Sequence, residues 1–289
     1  MELGEIHALF DQDWEVLPWG DFTENGQRVP DRSFVSRTKG LLLFAAELDS
    51  TQTVAREIAA SLPADRDLLV LARRQTAGYG RLRRPWHGSG AGGLTFTLAR
   101  RLPAFGSRSG NVALLAALAM AQMLDPLLHQ RAALDIKWPN DVLVAGKKVA
   151  GVLVERREDA AGDLFFIGVG INAGPMDFPQ ELVRTATALS QHLPTPPDRL
   201  VLMRGFLKHF SDLLAGAEGE NETAWLREYA ARSSWVNGKP IGWIEGNQLR
   251  RGVSAGLAPD GGLWCEEAGA GRRWLHASEI HSLGEGPRT

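Results

Sequence analysis

The stretch DIKWPNDVLVAGKKVAGVLVE, residues 135–155, sets a polar group between apolar runs. Around LDIKW, DVLVAG and KKVAGVLVERR the alternation fits short strands, with a turn at Pro139 and a hairpin turn at the Gly-Lys step. If the chain turns at Pro139 and returns along KKVAG, Lys137 and Lys148 reach the same end of one sheet. They bracket Asn140 and Asp141, with Gly151 just beyond.

Working outward, LLLFAAEL reads as a buried strand, followed by DST and a helix over QTVAREIAASL that Ser50 or Thr51 is placed to cap. DLLVLARR and GGLTFTLAR are further strands. NVALLAALAMAQMLDPLL is a long apolar helix, with Pro126 expected at its end. DLFFIGVGINA is a buried strand ending in a glycine-rich loop, and two helices follow, over LVLMRGFLKHFSDLLAGAE and TAWLREYAARSSWV. After Asn237 short strand candidates alternate with glycine turns: KPIGWIEG, QLRRGVSAGLAP, GGLWCEEAG and RRWLHASEI. The expectation is an α+β fold, a mixed central sheet flanked by helices, with a small C-terminal β-barrel. The expected boundaries are an N-terminal extension at 1–40, a main domain at 41–233 and the small domain at 234–284.

The totals narrow the function. A formal net charge of −2 gives no reason to expect a broad nucleic-acid surface. A single cysteine, Cys265, excludes a disulfide framework or a cysteine-rich metal site and points to the cytoplasm. The acidic N-terminus lacks a signal-peptide pattern, and no run approaches the ~18 consecutive apolar residues of a membrane span. Residues 1–40 show no pair of periodic helices with a tight turn, so no helix-turn-helix DNA reader is expected there.

Three polar concentrations remain. Residues 73–93, RRQTAGYGRLRRPWHGSGAGG, hold five Arg and six Gly directly after a buried strand. Glycines let backbone amides approach a ligand, and guanidinium forks suit phosphate or carboxylate oxygens. A solvated, accidentally basic loop is the alternative, against which stands Trp86, costly to leave in water among Gly and Arg. The second concentration is the opening stretch. Two lysines beside Asp141 describe a site for a phosphate chain with magnesium, the aspartate offering the metal an oxygen ligand. The alternative is a plain turn with surface lysines. The third, GVGIN at 168–172, offers bare backbone to a flat ring and is weak alone.

The succession DSTQ (49–52), QTAGYGRLRRPW (75–86), KWPND (137–141), KVAG (148–151) and GVGIN, with a small sheet region after it, resembles a bacterial biotin protein ligase over roughly residues 41 to 283. KWPND followed seven residues later by the Lys of KVAG is the specific part. The resemblance implies the biotin/lipoate ligase-like catalytic fold with an SH3-like barrel. It also implies a two-step reaction: biotin and ATP with Mg2+ give biotinyl-5'-AMP, and a lysine of the biotin carboxyl carrier protein of acetyl-CoA carboxylase then takes the biotinyl group.

By matching motifs it implies Ser50, Thr51 and Gln75 at the ureido end of biotin, and Gly78 and Gly151 where backbone meets ligand. Arg81 would lie at the activated carboxylate, with Arg84 and Trp86 in the covering loop. Lys148 would bridge carboxylate and phosphate, Lys137, Asn140 and Asp141 would serve the phosphate side with Asp141 on the metal, and Asn172 would lie near adenine or ribose. The family loop reads GRGRRGR where this chain has GYGRLRR: Tyr79 replaces an arginine, and Leu82 and Arg83 stand where an arginine and a glycine are expected. Such a loop is expected to be stiffer and to grip the adenylate less tightly. The alternatives are a lipoate or octanoate ligase and a non-catalytic biotin-binding relative. A monomer or homodimer without a repressor role or membrane association is expected.

Overall fold

The computed structural model describes residues 14–18, 23–24, 27–28, 40–59, 62–87, 92–128, 132–217, 223–246, 248–276 and 280–282. Most of the expected extension at 1–40 lies outside these residues. The chain divides into two compact units, 1–106 with 149–204, and 107–148 with 205–289.

In the first unit the strands β1 (Trp14–Pro18), β4 (Gly40–Leu48), β5 (Asp67–Gln75), β6 (Gly93–Arg101), β10 (Gly162–Asn172) and β9 (Lys147–Asp159) lie in the order β1-β4-β5-β6-β10-β9. The pairs β1–β4 and β4–β5 are parallel, and the rest are antiparallel. A two-residue ribbon, β2 (Thr23–Glu24) with β3 (Gln27–Arg28), completes the strands before β4. β4 and β5 read as continuous apolar runs because both faces of these central strands are buried. One face, with Leu41, Leu43, Leu68 and Val70, packs under Val54, Ala55 and Ile58 of helix α1 (Thr51–Ile58). α1 lies across β5, β6 and β10.

Ser50 holds the capping position of α1 but makes no side-chain cap bond. The first helical amide, Thr51 N–H, donates instead to Gln75 Oε1 at 2.7 Å. The expected cap is thus supplied from the end of β5, twenty-four residues away, which local sequence rules cannot see.

The second unit holds helix α2 (Ser109–Leu128), the hairpin β7 (Leu134–Lys137) and β8 (Asp141–Val144), most of helix α3 (Arg199–Ala217), helix α4 (Ala224–Ala231) and a C-terminal sheet. α2 contacts β7, β8 and α4. It is long and apolar enough to pass for a membrane span, yet it is mostly buried inside the protein. Pro126 lies inside α2, two residues before its end. A proline this late removes one hydrogen bond from the final turns, so the helix continues past it. The hairpin turn expected at the Gly-Lys step falls at Ala145–Gly146, both at positive φ (50° and 77°), the backbone that tight two-residue hairpins use. The C-terminal strands β11 (Asn237–Glu245), β12 (Gln248–Leu257), β13 (Leu263–Glu267), β14 (Gly271–Leu275) and β15 (Ile280–Ser282) form an antiparallel sheet in the order β14-β13-β12-β11-β15. This is the small β region expected from its short strands and glycine turns.

Candidate active site

In the first unit the polar residues gather where β5 ends and α1 begins. Thr51 donates its amide and its hydroxyl (3.1 Å) to Gln75 Oε1. Behind them the buried Thr97 hydroxyl lies 2.9 Å from Thr51 Oγ1 and 3.1 Å from Gln52 Oε1, and its one proton serves one of them at a time. Gln52, also buried, donates to the Phe166 carbonyl and to Glu155, both at 3.2 Å. Thr51, Gln52, Gln75 and Thr97 are themselves neutral, with the Glu155 carboxylate at the edge of the group, and burying such groups without partners would cost about 1–3 kcal/mol each. The cluster is therefore a rigid hydrogen-bonding surface, not a set of loose polar ends.

Thr97 was not foreseen. Its signal was a polar residue at a buried position in the otherwise apolar β6, and Thr is ordinary enough in strands to hide it. Ser50 is buried beside the cluster, its amide on the Asp49 carboxylate at 2.7 Å.

The glycines of β10 explain themselves. A Cβ on Gly168 would sit 2.6 Å from Gln52 Oε1, and one on Gly170 would sit 2.4 Å from two ring carbons of Trp86. The bare backbone at Gly170 is faced, in this structure, by the indole of Trp86. Gly151 faces Gly170 across β9–β10. Gly78 lies against the Gln75 amide, where a Cβ would come within 2.6 Å of Nε2. Trp86 N–H donates to Gly78 O at 2.9 Å, closing the segment between them into a loop. A pocket of about 560 Å³ opens here, lined by Gln75, Gly78, Tyr79, Arg83 and Trp86 among others.

Arg81 and Arg84 flank a single 3₁₀ turn in that loop. Asn172, at the end of β10, is buried, and its amide donates to Thr187 O at 3.0 Å. The glycine-rich segment 88–91 lies outside the described residues.

In the second unit the hairpin β7–β8 carries the charges. Lys137 and Asp141 are paired across its tip, and Lys148 Nζ lies 2.6 Å from Asp141 Oδ1 with both side chains partly exposed. The tip is fixed from three directions. Trp138, buried, donates its indole N–H to Gly261 O at 3.0 Å, and Tyr229 donates its hydroxyl to Pro139 O at 3.2 Å. Lys137 Nζ sits 4.6 Å from the Trp235 ring centroid, and Lys239 Nζ sits 3.7 Å from the same centroid. Asn140 is buried within the turn. The Trp138–Pro139 peptide is cis. Burial first, then the carboxylates of Asp141 and Asp135, push the Tyr229 hydroxyl well above its ordinary value, so it remains a neutral donor.

The structure thus brings together Thr51, Gln75, Gly78 and Trp86, with Gly151 opposite Gly170, in one unit. It brings together Lys137, Asp141 and Lys148 in the other. The sequence reading put Asp141 on a metal. The geometry engages its carboxylate with Lys148, and among the described residues no group of three His, Cys, Asp or Glu side chains is placed to hold a metal ion. The donors do not make a protein-held metal centre.

A sequence profile of the Biotin/lipoate A/B protein ligase family matches residues 44–172. The bifunctional ligase/repressor BirA of Bacillus subtilis is 37% identical over 172 residues, 58% of this chain and 52% of that protein, so the chain spans about half the length of this relative. The biotin–[acetyl-CoA-carboxylase] ligase of Paracoccus denitrificans is 34% identical over 251 residues, covering 81% of this chain and 98% of the relative. Among solved structures, the biotin protein ligase of Aquifex aeolicus in complex with biotin and ATP superposes with a TM-score of 0.71 at 26% identity, covering 83% and 97% of the two chains. On the sequence match across nearly the whole Paracoccus enzyme and the shared fold, the chain belongs to the biotin protein ligases of the biotin/lipoate ligase family.

Proposed function

We propose that this chain activates biotin with ATP and transfers it to a lysine of the biotin carboxyl carrier protein of acetyl-CoA carboxylase. The observation that carries the reading is the neutral cluster of Thr51, Gln52, Gln75 and Thr97, whose Gln75 lines a pocket together with Tyr79, Arg83 and Trp86 of the arginine-bearing loop. A ureido group is neutral, flat and rich in hydrogen bonds. A site of fixed neutral donors and acceptors favours it over an apolar ring, which would leave those groups unmatched. This is also the argument against lipoate, whose dithiolane makes no such bonds.

In the first step a carboxylate oxygen of biotin attacks the α-phosphorus of ATP, and pyrophosphate leaves. Two anions must meet, so the reaction needs fixed cations more than a proton acceptor. Lys148 is assigned that role, bridging carboxylate and phosphate. Asp141 holds its ammonium in place, and Lys137, with the turn at Asn140, serves the phosphate side. Arg81 faces the activated carboxyl, and Arg84 and Trp86 belong to the cover. Gly78 and Gly151 keep the backbone bare where the ligand passes. Ser50, Thr51 and Gln75 form the ureido end, while Asn172 positions the 187 segment through its bond to Thr187. Magnesium belongs to this reading as part of the MgATP substrate, for which one nearby carboxylate is enough.

In the second step the carrier lysine's amine attacks the acyl carbon, and AMP leaves. Residues 41–233 are read as the catalytic domain and 234–284 as a small β domain. The test incubates the purified chain with α-labelled ATP, magnesium, carrier domain, and biotin or lipoate. Labelled adenylate and carrier modification with biotin alone support the reading. Product with lipoate alone, or biotin binding without any adenylate, removes it.

A further inference from the structure

We propose that Tyr79 and Arg83 act as a latch that sets loop 78–86 in its closed shape before substrate arrives, making both of them positioning residues for Arg81 and Arg84. The inference rests on the reading of those two arginines as adenylate contacts. It starts from a strained turn. Leu82 and Arg83 are consecutive non-glycine residues at positive φ, 54° and 58°. L-residues avoid that conformation, so something in the fold must hold it. Leu82 is 76% exposed and packs too little to do so.

The Arg83 guanidinium carbon lies 4.2 Å from the centroid of the Tyr79 ring, a stacked cation–π contact. The backbone closes beneath it. Gly80 N–H donates to Arg84 O at 2.8 Å, Arg84 N–H to Arg81 O at 3.2 Å and Trp86 N–H to Gly78 O at 2.9 Å, while Tyr79 and Pro85 form an antiparallel bridge. Trp86 is itself seated on Gly170. Two of the three departures from the usual loop pattern therefore touch each other: Tyr79, in the place of an arginine, holds Arg83, in the place of a glycine.

The Tyr79 hydroxyl is buried and makes no hydrogen bond, so the ring face does the holding. A loop ordered on folding removes an ordering cost from binding, which appears in KM and not in kcat.

The test is amide hydrogen exchange at Gly80, Arg84 and Trp86 in the full chain without ligand, for wild type, Tyr79→Leu, Tyr79→Phe, Arg83→Gln and the Leu/Gln double variant. These amides should be protected in wild type and in Tyr79→Phe. They should exchange about two- to fivefold faster in each of Tyr79→Leu and Arg83→Gln, and no faster again in the double variant. If Tyr79→Leu does not fold, Arg83→Gln carries the same comparison. Biotin KM should rise by at least the same factor, since Tyr79 and Arg83 also line the pocket, and kcat should fall by less than KM rises. Unprotected amides in wild type, or two effects that multiply in the double variant, would overturn the latch. Protection without any adenylate formation would overturn only the proposed reaction, since the exchange needs no substrate.

Discussion

The two polar regions are built on opposite terms. In the first unit Thr51, Gln52, Gln75 and Thr97 are neutral, and all but Gln75 are buried. In the second unit Lys137, Asp141 and Lys148 are charged and partly exposed at a hairpin tip. A buried neutral network discriminates by leaving groups unmatched when the wrong ligand enters. A half-exposed charged pair discriminates little but can deliver charge where phosphate chemistry develops it. On the proposed reaction the first region serves recognition and the second serves rate, and mutations should separate the two.

The largest expected effect is at Lys148. Lys148→Ala should lower the rate of biotinyl-adenylate formation about 10²–10³-fold with a small change in biotin affinity. Asp141→Asn should cost less, about tenfold, because it loosens the ammonium without removing it. Single-turnover pyrophosphate release measures both. A fall of less than threefold for Lys148→Ala would end the division between recognition and rate.

Gly170→Ala should act on the other side. Its Cβ would meet the Trp86 ring at 2.4 Å, so the indole or the strand must move, at about 1–3 kcal/mol. Biotin affinity by calorimetry should drop about tenfold or more. Gly146→Ala in the second unit meets no atom within 4 Å and pays only for its φ of 77°, so it should leave biotin affinity alone. Equal losses from the two would blur the comparison.

Thr97→Val is milder and more specific. It keeps shape and removes one hydroxyl from the network, worth about 1 kcal/mol, or roughly fivefold in biotin affinity. An affinity unchanged within error would show that Thr97 only fills space.

How far the sequence showed this arrangement depends on the range of each interaction. The strands of β4, β5, β6 and β10 follow from local apolar patterning, as do the hairpin charges, since Lys137 and Asp141 are close in the chain. The Gln75 cap on Thr51, the Thr97 hydroxyl and the Trp86 seat on Gly170 join residues 24, 46 and 84 positions apart, and no local pattern encodes them. Motif matching names Gln75 and Trp86 but does not show the cap on Thr51 or the seat on Gly170 that they make inside the fold. Local patterning places Lys148 and Asp141 at one end of the sheet, but the 2.6 Å contact between them comes only from the structure.

The smallest expected effect separates the regions by pH. Thr and Gln side chains do not titrate, so the first region should keep its hydrogen bonds up to alkaline pH. Among the described residues, the second unit holds two neutral acids, Cys265 and Tyr229, that bind their protons more tightly when folded. Burial, then Glu267 and Glu266, push the Cys265 thiol up to about 11 from 9.0, and Tyr229 is also raised. A group whose folded value lies above its unfolded one stabilises fully below the unfolded value and loses that contribution as pH rises through the folded one. For Cys265 the loss should begin near pH 9 and run to about 11, with Tyr229 following from about pH 10. At about pH 9.5 the Cys265 share is under about 1 kcal/mol. Urea midpoints at pH 8 and 9.5 for wild type and Cys265→Ala test it. The alanine variant is less stable at both values because it opens a gap in the β13 core, so the comparison is between the two pH differences. Its decline should be shallower than that of wild type. Parallel declines would place the alkaline weakness elsewhere and remove this distinction between the units.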